Sequence, residues 1–140
     1  MTKAINVSGK LIARRVDSLP EEFYATIRDK TQPTRHIQSC IAISLDNRYV
    51  TDQEGKPLLF IWAHRNSLLS RKVELAMIAT EHFNIRHARE GKRLIWDWIA
   101  EQSVSVFARC NRPDTRRFLD FLEFTKVEEL EGTINYKAVY

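Results

Sequence analysis

The residues best suited to chemistry gather in one stretch, Thr80-Glu81-His82-Phe83, followed by the basic run Arg86-His87-Ala88-Arg89-Glu90-Gly91-Lys92-Arg93. Glu81 and His82 stand at the end of a strand-like segment, where either could take a proton from an amine directly or through water. His64, closing "LLFIWAH", and Glu74 are further candidates for the same task. The basic run tips straight into an apolar helical pattern, an order that suits an anion held at a helix N-terminus. There, unpaired main-chain N–H groups and about half a unit of positive charge are available. Gly91 would let a phosphate approach the main chain, and Arg86, Arg89, Lys92 and Arg93 would add charge-assisted contacts. The plainer alternative is a solvated basic start to an amphipathic helix. Cys40 and Cys110 lack the C-x-x-C spacing of a zinc site, so no metal is expected and both read as small buried apolar side chains.

These side chains must be positioned by a chain of 140 residues, the size of one domain, and 1–140 is read as a single domain. Hydrophobic content of 44% with 29% charged residues is that of a packed globular protein, and no apolar run approaches the roughly 20 residues of a membrane helix. The opening "MTKAINVSGKLIARRV" lacks the apolar centre of a secretory signal, so no export is expected and the cytoplasm is the expected location. The net charge of +4 is interleaved with acids, which suits a small anionic ligand. A nucleic-acid partner is set aside, because no recognition motif or basic stripe accompanies the charge.

Ser18 and Glu21 have capping-box spacing ahead of Phe23 and Ile27, predicting a helix over 18–29, with "KLIARRV" before it a strand. "IQSCIAISL" (37–45) and "LLFIWAHR" (58–65) read as strands joined in a hairpin through the turn "DQEGKP". "KVELAMIAT" reads as a central strand, extended to 73–82, that diverges at its end from a strand over 104–110. Leu94, Ile95, Trp98 and Ile99 recur at helical spacing and predict a helix over 90–102. A last helix follows in "NRPDTRRFLDFLEF", with Asn111 able to cap it and Pro113 near its start, and two short strands close the chain. The sum is an α/β fold, a mixed and mostly antiparallel sheet with helices on both faces.

That element order, with a basic glycine loop between the central strand and its helix, resembles the GCN5-related N-acetyltransferase (GNAT) family. The family loop reads Gln or Arg, two residues, Gly, one residue, Gly or Ala. Arg86 and Gly91 match its ends, and Arg89 stands where the middle glycine is usual. The segment 111–124 resembles the family's Asn-initiated helix ending in Gly-Phe, with Glu123 before Phe124 and Leu119 where the family often places a tyrosine as general acid. The resemblance implies acetyl-coenzyme A as cofactor, its pyrophosphate on the 86–91 loop with Asn111 nearby. The pantetheine arm would lie along Thr80 through Phe83, and an amine acceptor would attack directly. With Leu119 in the tyrosine position, protonation of the departing thiolate would fall to water, Tyr136 or Tyr140. Small proteins of this kind with a worn loop are similar to ones carried by tailed bacteriophages, which would put the chain in a host cytoplasm. The replacements at 89, 119 and 123 also fit a second expectation: a GNAT-fold module without catalysis that binds a host protein or belongs to a virion.

Overall fold

The computed structural model describes residues 10–31, 33–65, 72–101, 105–110 and 113–139. In chain order it contains β1 (Ile12–Arg14), α1 (Glu21–Thr26), α2 (Thr34–Ile43), β2 (Asp46–Thr51), β3 (Pro57–His64), β4 (Val73–Ala79), α3 (Ile85–Ala100), β5 (Val106–Cys110), α4 (Pro113–Phe121), β6 (Thr125–Leu130) and β7 (Thr133–Lys137). The seven strands form one sheet in the order β1-β2-β3-β4-β5-β7-β6. The pairings β1–β2, β2–β3, β5–β7 and β6–β7 are antiparallel, and β4–β5 is parallel. The expected mixed, mostly antiparallel α/β sheet is therefore present. The backbone groups into two compact units, Met1–Ala63 with Met77–Gly91, and His64–Ala76 with Lys92–Tyr140.

In the first unit, β3 is buried from Pro57 through Ala63, so its apolar run is continuous and not alternating, as in a strand covered on both faces. The hairpin that feeds it differs from expectation in its first arm. Residues 37–45 are not a strand: α2 occupies Thr34–Ile43, beginning after Pro33. Only Ile37, Cys40 and Ile41 are buried there, a three-and-four spacing that fits a helix face, while Ile43 and Leu45 are exposed. The arm is β2, whose polar residues conceal it in sequence. The expected turn is present, with Gly55 at φ 87° and Asp52 Oδ1 accepting the N–H groups of Glu54 and Lys56, each at 2.9 Å. α1 is shorter than the predicted 18–29 and starts after Pro20 without a side-chain cap, so the Ser18–Glu21 box does not form. What holds this six-residue helix is Phe23, fully buried, with its ring edge-on to Tyr49 and Phe60 at 6.0 and 6.3 Å.

In the second unit, the parallel ladder pairs Val73 with Val106, Glu74 with Phe107 and Leu75 with Ala108. Among the described residues no β4–β5 pair lies beyond Leu75, although β4 runs on to Ala79. The ladder thus stops short of the strand end, and β4 itself ends at Ala79 and not at the expected 82, because the Phe83 N–H donates to Thr80 O at 3.2 Å and makes 80–83 a turn. α3 buries Ile95, Trp98 and Ile99, and α4 buries Leu119. α3 begins five residues before the predicted start, and α4 spans Pro113–Phe121. Cys40 is buried as expected, while the side chain of Cys110 lies outside the described residues. No helix among the described residues is long and apolar enough to cross a membrane.

Phe23→Ala is expected to destabilise the protein by about 3–5 kcal/mol, the usual cost of deleting a buried ring. A urea-unfolding midpoint that does not move would mean α1 is held by something other than this ring.

Candidate functional site

The predicted site residues of the first unit are brought together where β4 gives way to α3. Thr80 ends the strand and is fully buried. Its N–H donates to Leu58 O at 2.9 Å, and its hydroxyl donates to Pro57 O at 2.7 Å while accepting the His82 N–H at 3.2 Å. This turns the chain out of the sheet within two residues. Glu81 is exposed, 3.8 Å from Lys30 Nζ, and His82 is half-buried. Phe83 is buried, its ring stacked on His87 with centroids 5.9 Å apart.

α3 starts at Ile85 because Asn84 caps it, its Oδ1 accepting the Arg86 N–H at 2.9 Å. Sequence reading missed this residue; an Asn directly ahead of the basic run was the available signal. The Asn84 N–H in turn donates to His87 Nδ1 at 3.1 Å, which requires that nitrogen to be unprotonated. Burial and then the neighbouring Arg86 hold the His87 pKa below its ordinary 6.5. Arg86 and Arg89 are exposed beside this helix start and make no ion pair among the described residues. The Arg89 side chain therefore stands out in solvent. Gly91 lies in the second turn of α3, buried, where an added Cβ would meet the Phe83 ring at 3.5 Å. That is ordinary contact, so an alanine would also fit against Phe83.

The remaining predicted residues belong to the second unit. Lys92 Nζ is 2.6 Å from Glu123 Oε2 and sits over the Phe121 ring, 5.1 Å from its centroid. The Lys92 hydrogen bond and charge hold the exposed Glu123 carboxyl below its usual pKa. Glu123 has φ 65°, the left-handed conformation in which a glycine would be unstrained. Arg93 is exposed. Asn111 and Tyr140 lie outside the described residues. Leu119 is 1% exposed, so a tyrosine there would overfill a packed site. The Tyr136 hydroxyl donates to Asp120 Oδ1 at 3.2 Å. His64 and Glu74 do meet: His64 Nε2 is 3.9 Å from Glu74 Oε1, and Arg109 Nε donates to the same oxygen at 2.9 Å. Among the described residues, His64 Nδ1 is buried without a partner.

No protein-family profile and no curated protein sequence matches the chain. Solved structures do. A GNAT-family acetyltransferase from Bacillus anthracis superposes with a TM-score of 0.65 at 11% identity, over 93% of this chain and 95% of that one. The aminoglycoside 6'-acetyltransferase type Ii gives 0.67 at 14% identity, over 91% and 96%. The Campylobacter jejuni N-acetyltransferase PseH, solved with acetyl coenzyme A, gives 0.62 at 11% identity, over 92% and 98%. The chain has the GNAT fold. Within that fold, Thr80–Phe83 and Arg86–Gly91 lie at the strand-to-helix junction that the sequence resemblance singled out.

His87 carries a testable pH dependence. Its folded pKa is depressed, so its contribution to stability is complete above pH 6.5 and is lost as the pH falls below that value toward the folded pKa. Histidine titration by NMR should give a midpoint below 6.5, with the Asn84 amide losing exchange protection in step. A midpoint at or above 6.5 would contradict the acceptor role of Nδ1.

Proposed function

We propose that the protein is an acyl-coenzyme A dependent N-acyltransferase that transfers an acetyl group from acetyl-coenzyme A to an amine on its acceptor. The observation that carries this reading is the β4–α3 junction on a GNAT fold, with the exposed Arg86 and Arg89 and a capped helix N-terminus following directly on Thr80–Phe83. The helix start and the two guanidinium groups suit a pyrophosphate, and the main chain at Thr80–Phe83 would take the amide groups of a pantetheine arm. PseH, a protein of the same fold, is described in complex with acetyl coenzyme A.

Direct transfer needs a deprotonated amine near the thioester: the N–C bond forms as the C–S bond breaks, and the thiolate leaves to be protonated. Glu81, His82 and His64 are the candidate bases, of which Glu81 and His82 follow Thr80 directly. His64 lies 3.9 Å from Glu74, which accepts from Arg109, whereas Glu81 is exposed beside Lys30. With Leu119 buried and Tyr136 bonded to Asp120, thiolate protonation is left to water or Tyr140. That same packing of Leu119 favours the second reading, a GNAT-fold module that binds a protein partner without turnover, such as a phage protein acting on a host.

Calorimetric titration with acetyl-coenzyme A tests the first reading. Arg86→Ala should weaken binding by about 1.5–3 kcal/mol, roughly 10-fold to over 100-fold. Because the Arg89 side chain is exposed, both Arg89→Ala and Arg89→Gly should weaken binding as well. Tighter binding by Arg89→Gly would mean the arginine plugs the groove. No binding by the parent at millimolar cofactor would put the non-catalytic module first.

A further inference from the structure

Main-chain groups along a strand alternate between its two edges. At the end of β4, the Thr80 N–H points to β3, so the Ala79 C=O and the Glu81 N–H point to the opposite edge. That edge is occupied. The Glu81 N–H donates to Thr26 O at 2.8 Å, and the Arg28 N–H donates to Ala79 O at 2.9 Å, making an isolated antiparallel bridge between Ile27 and Thr80. The Arg28 guanidinium also donates to the main-chain oxygen of Phe83. Ile27, extended at φ −53° and ψ 134°, is buried directly after the last turn of α1.

We propose that Thr26–Arg28 is a strap that keeps this edge of β4 closed, and that acyl-coenzyme A binds only when the strap is displaced. This rests on the reading that a pantetheine arm lies along Thr80–Phe83, here extended by the Ala79 carbonyl that precedes it. An amide-bearing chain adding to a strand edge uses the free N–H and C=O groups there, and the strap holds two of them. The strap is held by two main-chain bonds, the Arg28 contact, the loose Lys30–Glu81 pair and one buried side chain, Ile27, and the helix before it has six residues. A short helix of this length has little stability of its own, so the strap can open without unfolding the sheet. Closure lowers apparent affinity by the fraction of molecules that are open.

The bridge geometry supplies a reversible lock. Ile27 and Thr80 form a non-hydrogen-bonded antiparallel pair, with Cα atoms about 4.5 Å apart in such pairs, within the reach of a disulfide. In the full-length double variant Ile27→Cys/Thr80→Cys, acetyl-coenzyme A, a thioester that does not reduce the cross-link, is titrated before and after reduction. The oxidised form should bind at least about 100-fold more weakly than the reduced form, since the open state is removed. The exposed Arg28→Ala variant should bind several-fold more tightly than the parent. In the parent, hydrogen exchange should show the Arg28 amide losing protection when acetyl-coenzyme A saturates the protein.

Equal affinities of the oxidised and reduced forms, or an Arg28 amide equally protected with ligand bound, would overturn the strap and leave the coenzyme reading standing. Should the double variant fail to fold, the Arg28→Ala affinity and the parent's Arg28 amide decide alone. If neither the parent nor Arg28→Ala binds at millimolar acetyl-coenzyme A, the coenzyme reading falls and the strap falls with it.

Discussion

The junction around which the candidate site is built depends on one buried hydroxyl. Thr80 has no solvent to satisfy its polar atoms, so its hydroxyl and amide must find partners in the protein, and they find Pro57, Leu58 and His82. Leaving such a group unpaired costs about 1–3 kcal/mol, which makes the turn after β4 close to obligatory. From this follow the exposed Glu81, the Asn84 cap and the start of α3 at Ile85. The same turn aims the Ala79 and Glu81 main chain at Thr26 and Arg28.

Sequence and structure agree where the pattern is dense. β3 is an apolar run without breaks up to His64, β4 is interrupted only by Glu74, and Ile95, Trp98 and Ile99 mark a helix face that three-and-four spacing alone reveals. The misread segment is one where apolar content and apolar spacing disagree. Residues 37–45 are rich in isoleucine, yet Ile43 is exposed, and only Ile37, Cys40 and Ile41 face inward. β2 hides for the opposite reason: Asn47 and Thr51 are buried polar residues, which sequence reads as surface. Asn47 is satisfied by Val16, accepting its N–H at 2.9 Å and donating to its oxygen at 3.0 Å.

The candidate site was legible by residue type and illegible by connection. Thr80, Glu81, His82, Phe83 and the arginines stood out because their chemistry is written in their side chains. The Asn84 cap was overlooked because the helix was started at 90, and the Thr26–Arg28 bridge leaves no trace in sequence, since its two ladder bonds run between main chains. The meeting of His64 and Arg109 on one Glu74 oxygen joins residues far apart in the chain through strand neighbours. Glu123 shows a further limit: a left-handed φ is invisible when a residue other than glycine adopts it, here with Lys92 paired to its carboxylate.

The uninterrupted burial of β3 also bears on how the chain is made. Leu58–Ala63 carries no charge, proline or glycine, the composition that associates with other chains when left uncovered. On the ribosome its first neighbour is already present, because β2 is synthesised earlier, pairs through a five-residue turn, and brings Asp46 and Arg48 as flanking charges. Its second neighbour is β4, which emerges later. Between those two moments one edge of β3 has hydrogen-bonding groups without a strand to pair them, an interval in which association with another chain competes with the pairing to Val73–Ala79.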